Sequence, residues 1–463
     1  MTLIVSISGI RGTIGGEPGK GLTPPDILRF VTAYCRMLRM QHPDGRVKVV
    51  VGRDGRKSGP AINRMVCGVL QLCGVDVVDL GLSTTPSVEL AVTWHKAQGG
   101  IILTASHNGA EWNALKLLDH KGEFISEAAG RELLLLTEKG METYPDEGSK
   151  GHYTTDYQSI ERHVEAILQH PLVDIEAIRG AQLSVAFDGI NSSGGIALPL
   201  LLKELGVNNV FPLNDQPDGQ FAHNPEPLPE HLGQLRDLVK KKKADVGFAV
   251  DPDVDRLAVV CGDGSFFGEE NTLVAVADYV LSVTPGNTVS NLSSSRALRD
   301  VTNRYGQQYY ASAVGEVHVV EMMKQVEAVI GGEGNGGVIL PSLHYGRDAL
   351  AGVALFLTAL AKRGGTLQEW KQSLPEYHIK KNKVDVGTVD DIEGLFDAVA
   401  DRYPEAETSR LDGLKLDFQE GWVHFRKSNT EPIIRIYSES CSAEGAEALA
   451  AEVMEVMKSY VEA

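Results

Sequence analysis

Apolar residues along this chain alternate between two spacings, one suited to strands and one to helices. Val47 to Val51 is a short β-branched run that predicts a strand. Thr23-Pro24-Pro25-Asp26 has the composition of a helix start, and Ile27, Phe30, Val31 and Tyr34 follow at helical spacing. A second helix is expected after Ser58, and Val75 to Val78 reads as the next strand. The rhythm restarts at Leu183 to Phe187 and again around Asn287 to Val289. Strands separated by helical segments imply βαβ crossovers and a largely parallel sheet. Two restarts echo each other, Asp188-Gly189-Ile190-Asn191-Ser192-Ser193 and Ser290-Asn291-Leu292-Ser293-Ser294-Ser295, as repeated α/β units would.

After about Pro375 the texture changes. Short strand-like pieces (Lys383 to Val386, Leu414 to Phe418, Gly421 to Phe425, Ile433 to Tyr437) alternate with two helices, the last spanning Ala443 to Tyr460. That pattern predicts a small α+β domain with an antiparallel sheet. Borders fall near 153, 258 and 373, giving domains 1–153, 154–258, 259–373 and 374–463. Lys240 to Lys243 closes a helical stretch, where cations suit the helix dipole, so it reads as a solvated helix end.

Bulk properties narrow the function classes. A chain of 463 residues is too long for one hydrophobic core. Its net charge of −18 argues against general affinity for nucleic acid or acidic membranes. A small anionic substrate then requires local arginines that outvote the global field. The five cysteines are scattered and lack CxxC spacing, which disfavours a disulfide framework or zinc site and points to a reducing cytosol. The N-terminal MTLIVSISGIRG has no basic n-region, and the longest apolar stretch, Ala351 to Ala361, is too short to span a bilayer. A soluble, cytoplasmic protein is the expectation.

Four stretches carry candidate chemistry. The β-rich run Gly100 to Thr104 empties into Ala105-Ser106-His107-Asn108-Gly109, either a polar turn or a serine placed to react. Asp251-Pro252-Asp253-Val254-Asp255-Arg256 delivers three carboxylates at alternating positions after another strand-like run. Like charges that close repel unless a cation joins them, and all-oxygen ligation favours Mg²⁺ or Mn²⁺. An EF-hand loop is excluded, because its glycine and glutamate positions hold Arg256 and Gly262. A solvated acidic turn is the bland alternative. Arg426-Lys427-Ser428-Asn429-Thr430-Glu431-Pro432-Ile433-Ile434-Arg435 offers guanidinium, hydroxyl and amide donors suited to a phosphate. Gly331-Gly332-Glu333-Gly334-Asn335-Gly336-Gly337 lets backbone approach a ligand, with an acceptor and an amide for sugar hydroxyls. Arg11, Arg53 and Arg56 stand on glycine-flanked loops, the last two equally able to pair with nearby aspartates.

Ser106 lacks the G-x-S-x-G elbow, so acyl-transfer hydrolysis fits poorly. Phosphoryl transfer fits well, since a metal and arginines stabilise charge spread over oxygens. With these motifs in view, the chain resembles the α-D-phosphohexomutases, which include phosphoglucomutases, phosphomannomutases and phosphoglucosamine mutases. "TASHN" resembles that family's phosphoserine loop, "DPDVDR" its metal loop, "GEGNGG" its sugar loop and "RKSNTEPIIRI" its phosphate loop, in the family's order along nearly the whole chain.

The resemblance implies three related mixed α/β/α domains and a C-terminal α+β domain with an antiparallel sheet, around a central active-site cleft. It implies that Ser106 is phosphorylated, and that Asp251, Asp253 and Asp255 bind one Mg²⁺ together with a Ser106 phosphate oxygen. Arg11, His107, Lys116 and Arg256 match positions flanking the transferring phosphate. Glu333 and Asn335 would contact sugar hydroxyls; Arg426, Ser428, Asn429, Thr430 and Arg435 would hold the other phosphate. An activating hexose 1,6-bisphosphate is implied as a further cofactor, and a homodimer is compatible. Departures are visible too, with Asn335-Gly336-Gly337 where many members end Ser-Gly-His, and Val314-Gly315-Glu316-Val317-His318 in an earlier third-domain loop. These forms resemble archaeal-type phosphoglucosamine mutases, so the expected reaction interconverts glucosamine 6-phosphate and glucosamine 1-phosphate through a bisphosphate. Glucose or mannose phosphate is the alternative substrate, and a non-catalytic phosphosugar-binding protein is the alternative of another class.

Overall fold

The computed structural model describes residues 2–462, apart from 7, 8, 44, 140, 142, 386–390 and 428–432. The chain forms two compact units, Met1–Thr272 with Asn335–Trp370, and Leu273–Gly334 with Lys371–Ala463.

In the first unit, β1 (Leu3–Ser6), β2 (Gly9–Thr13), β3 (Lys48–Arg53), β4 (Asp76–Leu82), β5 (Gly99–Leu103), β6 (Trp112–Leu118) and β7 (Tyr153–Thr155) build a seven-stranded sheet. Its spatial order is β1-β2-β6-β5-β3-β4-β7. β3 pairs in parallel with β4 and β5, and β4 with β7, but β1/β2, β2/β6 and β5/β6 are antiparallel. The expectation of a largely parallel sheet is therefore corrected to a mixed one. The reason is local. β5 passes to β6 through 104–111 without a helix, and a connection lacking a crossover must return antiparallel.

Alternation along β3 explains its unbroken apolar run. Val49 and Val51 face a layer with Ile27, Phe30, Val31 and Tyr34, while Val50 faces Val88, Ala91 and Val92 on the other side. Both faces are covered, as in buried strands of α/β proteins. The helix Pro24–Gln41 starts where the sequence indicated. Thr23 and Asp26 form a capping box there, with the Thr23 N–H donating to the Asp26 carboxylate at 3.2 Å. Its fully buried Phe30 and Val31 each contribute roughly 2 kcal/mol of burial.

β8 (Ser184–Asp188), β9 (Asn209–Leu213), β10 (Val246–Val250) and β11 (Leu257–Cys261) form a second sheet, ordered β11-β10-β8-β9. β8 is parallel to β9 and β10, and β11 is antiparallel to β10. Again the antiparallel pair has no helix between its strands, only residues 251–256. The lysine run ends the helix Gly233–Lys242 as expected, with Lys243 in the left-handed region.

The helix Ala349–Arg363 is buried from Ala349 through Leu360, with Phe356 edge-on to Phe248 and Phe267 at 5.8 and 5.3 Å between ring centres. Among the described residues no single helix is long and apolar enough to cross a membrane; this helix passes such a test only jointly with Leu367–Ser373, across a 93° bend.

The second unit contains three parallel strands, with Thr288–Asn291 between Tyr309–Ser312 and Ile330–Glu333. It also contains an antiparallel sheet in the order His378–Asp385, Ile433–Ser440, Gly421–Lys427, Leu414–Asp417, Glu407–Ser409. Phe396 and Val399 of one helix and Val453 and Met457 of another share a core with Leu416, Val423, Phe425 and Ile434. The antiparallel α+β texture read from the sequence is what folds here. The edge strand Glu407–Ser409 went unread, since its exposed and half-buried polar residues carry no apolar pattern.

Candidate active site

The two candidate loops sit at matching places, each inside an antiparallel strand pair that lacks a crossover helix. In the β5–β6 loop, Ser106 is 3% exposed and has φ +49°, a left-handed conformation unusual for serine. Arg56 fixes this shape. Its guanidinium, wholly buried, donates to the carbonyl oxygens of Ser106, Asn108, Gly109 and Trp112. Its Nε meets Asp54 Oδ2 at 3.0 Å, and Asp54 also accepts from the Thr104 hydroxyl at 2.7 Å. Thr104 in turn accepts from the Ser106 N–H at 2.9 Å. In the β10–β11 loop, Val254 has φ +63°, a costly conformation for a β-branched residue.

The loops meet. Ser106 Oγ donates to Asp251 Oδ2 at 2.7 Å across 145 positions of sequence. Lys116 Nζ donates to Asp253 at 2.7 Å and lies 3.6 Å from Asp255. Asp253 also accepts from the Thr85 hydroxyl at 2.6 Å, and Asp255 from Arg347 at 2.7 Å. Asp251 uses its other oxygen to accept from the backbone N–H groups of Asp255 and Arg256, at 3.1 and 3.2 Å. Arg11 donates to the Asn108 amide oxygen at 3.0 Å, and His107 Nδ1 is 3.3 Å from Ser106 Oγ. Ser106, His107, Lys116, Arg11, Arg256 and the three aspartates thus all lie in the first unit.

All three aspartates are fully buried, and their oxygens lie close enough to hold one metal ion. Burial, then the charges of Asp255 and Asp253, push Asp251 well above the usual carboxylate range. Burial would do the same to Asp253, but Lys116 and Thr85 outweigh it and hold that carboxyl below the range. Lys116 is raised, its partners Asp253 and Asp255 overcoming burial. Asp253 Oδ1 and Asp255 Oδ1 are buried and accept no hydrogen bond. Three buried carboxylates with spare oxygens are a donor set that fits a hard dication.

His107 behaves differently. Burial, and after it the charges of Arg256, Arg11 and Arg347, press its pKa down to about 2. Between that value and about 6.5, where an unfolded imidazole takes its proton, only the unfolded chain binds it, so acid favours unfolding there. The His107 ring signals in an NMR titration are expected to stay flat from about pH 8 to about pH 5. Titration near the ordinary value would contradict this environment.

The glycine-rich loop divides between the units. Asn335, in the first, is half-buried and accepts from the Gly337 N–H at 3.3 Å. Gly336 has φ +85°, and a Cβ there would come 2.3 Å from the Leu257 carbonyl oxygen, so backbone packs on backbone. In the second unit Glu333 is 6% exposed and accepts from the Asn291 amide at 3.0 Å. Arg426 and Arg435 face each other across a strand pair, Arg426 lying 2.7 Å from Asp412 and Arg435 exposed. Ser428, Asn429 and Thr430 lie outside the described residues. Thr85 and Arg347 were missed in the sequence. Each meets its aspartate over a long separation, and neither stands in a motif.

Comparison with known proteins accounts for the chain from end to end. Family models for phosphoglucomutase/phosphomannomutase match in four consecutive segments: α/β/α domains I, II and III at residues 3–143, 161–264 and 269–377, and the C-terminal domain at 380–456. A phosphoglucomutase/phosphomannomutase of Thermococcus kodakarensis is 35% identical, over 95% of this chain and 94% of its own. A phosphoglucosamine/phosphogalactosamine mutase of Sulfurisphaera tokodaii is 30% identical, over 99% and 100%. The crystal structure of a phosphoglucomutase/phosphomannomutase family protein from Burkholderia thailandensis superposes with a TM-score of 0.83 at 26% identity, covering 98% of both chains. This four-domain chain belongs to the phosphoglucomutase/phosphomannomutase family, the α-D-phosphohexomutases, and is an isomerase of that kind.

Proposed function

We propose that the chain is a phosphoglucosamine mutase in which Ser106 carries the transferable phosphoryl group. The contact between Ser106 Oγ and Asp251 supports this reading most directly, because it joins a reactive hydroxyl to the acidic triad. Phosphoserine 106 transfers its phosphoryl group to the free hydroxyl of a hexosamine monophosphate, forming a 1,6-bisphosphate and leaving the serine oxygen to take a proton. The bisphosphate turns over, and Ser106 recovers a phosphoryl group from the other position.

Asp251, Asp253 and Asp255, with a Ser106 phosphate oxygen, would hold Mg²⁺, which when bound would supply charge neutralisation at the transferring group. The chain's own residues do the rest. Lys116 neutralises Asp253 and orients it, while Arg11 and Arg256 supply positive charge flanking the transferring phosphate. His107, held neutral beside Ser106 Oγ, is one of the groups that flank the transferring phosphate. Glu333 and Asn335 bind sugar hydroxyls, and Arg426, Ser428, Asn429, Thr430 and Arg435 hold the phosphate that stays. Domain borders are placed near 153, 258 and 373. A hexose 1,6-bisphosphate primes the serine, and a reducing cytoplasm suits five free cysteines.

The amino-sugar preference is supported by the name of the Sulfurisphaera relative. The Thermococcus relative, at higher identity, favours a second reading with glucose or mannose phosphate. Comparing kcat/KM for glucosamine, glucose and mannose 1-phosphates, with Mg²⁺ and activating bisphosphate, separates them. The glucosamine ester is expected to lead by about tenfold or more, the scale of one well-placed polar contact. A lead for glucose or mannose would replace the substrate and keep the reaction.

A further inference from the structure

A second group of metal-ligating side chains lies in the first unit, on residues that none of the roles above employs. His163 comes from the helix Ser159–Leu168, His344 from the segment before Ala349–Arg363, and Asp348 caps that helix. Glu89 approaches from the helix Thr85–Trp94. The side chains of His163, Asp348 and Glu89 are at most 2% exposed, and that of His344 is 10% exposed.

Asp348 divides its two oxygens between different tasks. Oδ1 accepts from the Leu350 and Ala351 N–H groups at 2.9 and 3.0 Å, which starts the helix. Oδ2 faces two imidazoles, 2.8 Å from His163 Nε2 and 3.2 Å from His344 Nε2. One ligand atom from each residue falls within 4.8 Å of the others. Each ring is also held at its far nitrogen, His163 Nδ1 by Ser87 Oγ at 3.0 Å and His344 Nδ1 with Glu89 Oε2 at 3.3 Å. The ring planes stand 89° apart, so the two nitrogens reach the carboxylate oxygen from different directions. Proteins orient metal-binding histidines by this means, an outer hydroxyl or carboxylate fixing the ring and its tautomer.

Charge points the same way. Two buried carboxylates beside two neutral rings leave two negative charges, and one protonated ring cancels only half. A bound dication would balance both charges.

We propose that His163, His344 and Asp348 bind a transition-metal dication of the zinc class, with Glu89 as the outer partner of His344 and water as the fourth ligand. Imidazole nitrogens with one carboxylate oxygen favour Zn²⁺ or Co²⁺ over the Mg²⁺ suited to the aspartate triad. On binding, His344 loses its Nε2 proton to solvent, and the proton of His163 resides on Nδ1, where Ser87 Oγ accepts it. The ion would tie together segments that also serve the triad, since Thr85 touches Asp253 and Arg347, next to Asp348, touches Asp255.

The test uses the full chain stripped with a chelator and kept in excess Mg²⁺, titrated with Co²⁺ and, against a chromophoric chelator, with Zn²⁺. One equivalent of each is expected to bind, with visible Co²⁺ bands typical of a four-coordinate nitrogen/oxygen site. H163Q and H344Q should each weaken Zn²⁺ binding by about tenfold or more and remove the bands, while D253N keeps them. Absence of these bands in the unmodified chain would overturn the proposal whether or not the variants fold. So would bands that survive both histidine substitutions, or that vanish with D253N alone.

Discussion

Ser106→Ala is expected to lower kcat by about 10⁴-fold or more while leaving the melting temperature within a few degrees of the parent. The size follows from the role proposed for the hydroxyl, which no neighbour can replace. His107, Lys116 and the arginines position charge and protons around that oxygen but offer no alternative acceptor for a phosphoryl group. Stability should change little, because alanine removes one hydrogen bond, a net loss of about 1 kcal/mol. The assay is turnover of hexosamine 1-phosphate with Mg²⁺ and activating bisphosphate, with a thermal melt on the same sample. Parental turnover in the variant would remove Ser106 from the reaction.

Arg56→Leu is expected to be among the most damaging single substitutions for folding, costing about 3–5 kcal/mol. The guanidinium is wholly buried, pairs with an equally buried Asp54, and donates to four carbonyl oxygens of the Ser106 loop. Leucine would leave Asp54 without its cation and the carbonyls without donors. Lysine should recover part of the loss, since it returns the charge but not the planar fork. Urea unfolding of both variants gives the comparison, and activity should fall with the loop's shape. A leucine variant within about 1 kcal/mol of the parent would show that the loop holds itself.

Much of this architecture was legible from the chain alone, for identifiable reasons. β3 and β5 are apolar over several residues because both faces are covered, and such runs are easy to read. Ser106 and the Asp251–Asp255 group announced themselves because each interrupts such a run with chemistry a buried strand would not otherwise end in. What the spacing could not convey was partner choice. Arg56 looked equally suited to a ligand or an aspartate; it takes the aspartate and, with its remaining N–H groups, the serine loop. Arg347 and Thr85 gave no signal, since a lone arginine beside a helix cap and a threonine at a helix start are ordinary until the fold brings Asp255 and Asp253 to them. Sheet direction was misjudged for a related reason. Periodicity marks strands, but only the missing helix between β5 and β6 tells which way the second one runs.

The left-handed Val254 has a thermodynamic consequence. A valine adopts that backbone only because the surrounding fold imposes it, so the conformation that sets Asp253 and Asp255 is reached at a cost met in folding. The entropy of gathering mutually repelling groups is thus lost during folding rather than at each encounter with an ion. Affinity gained by such preorganisation comes without slow rearrangement at the moment of capture.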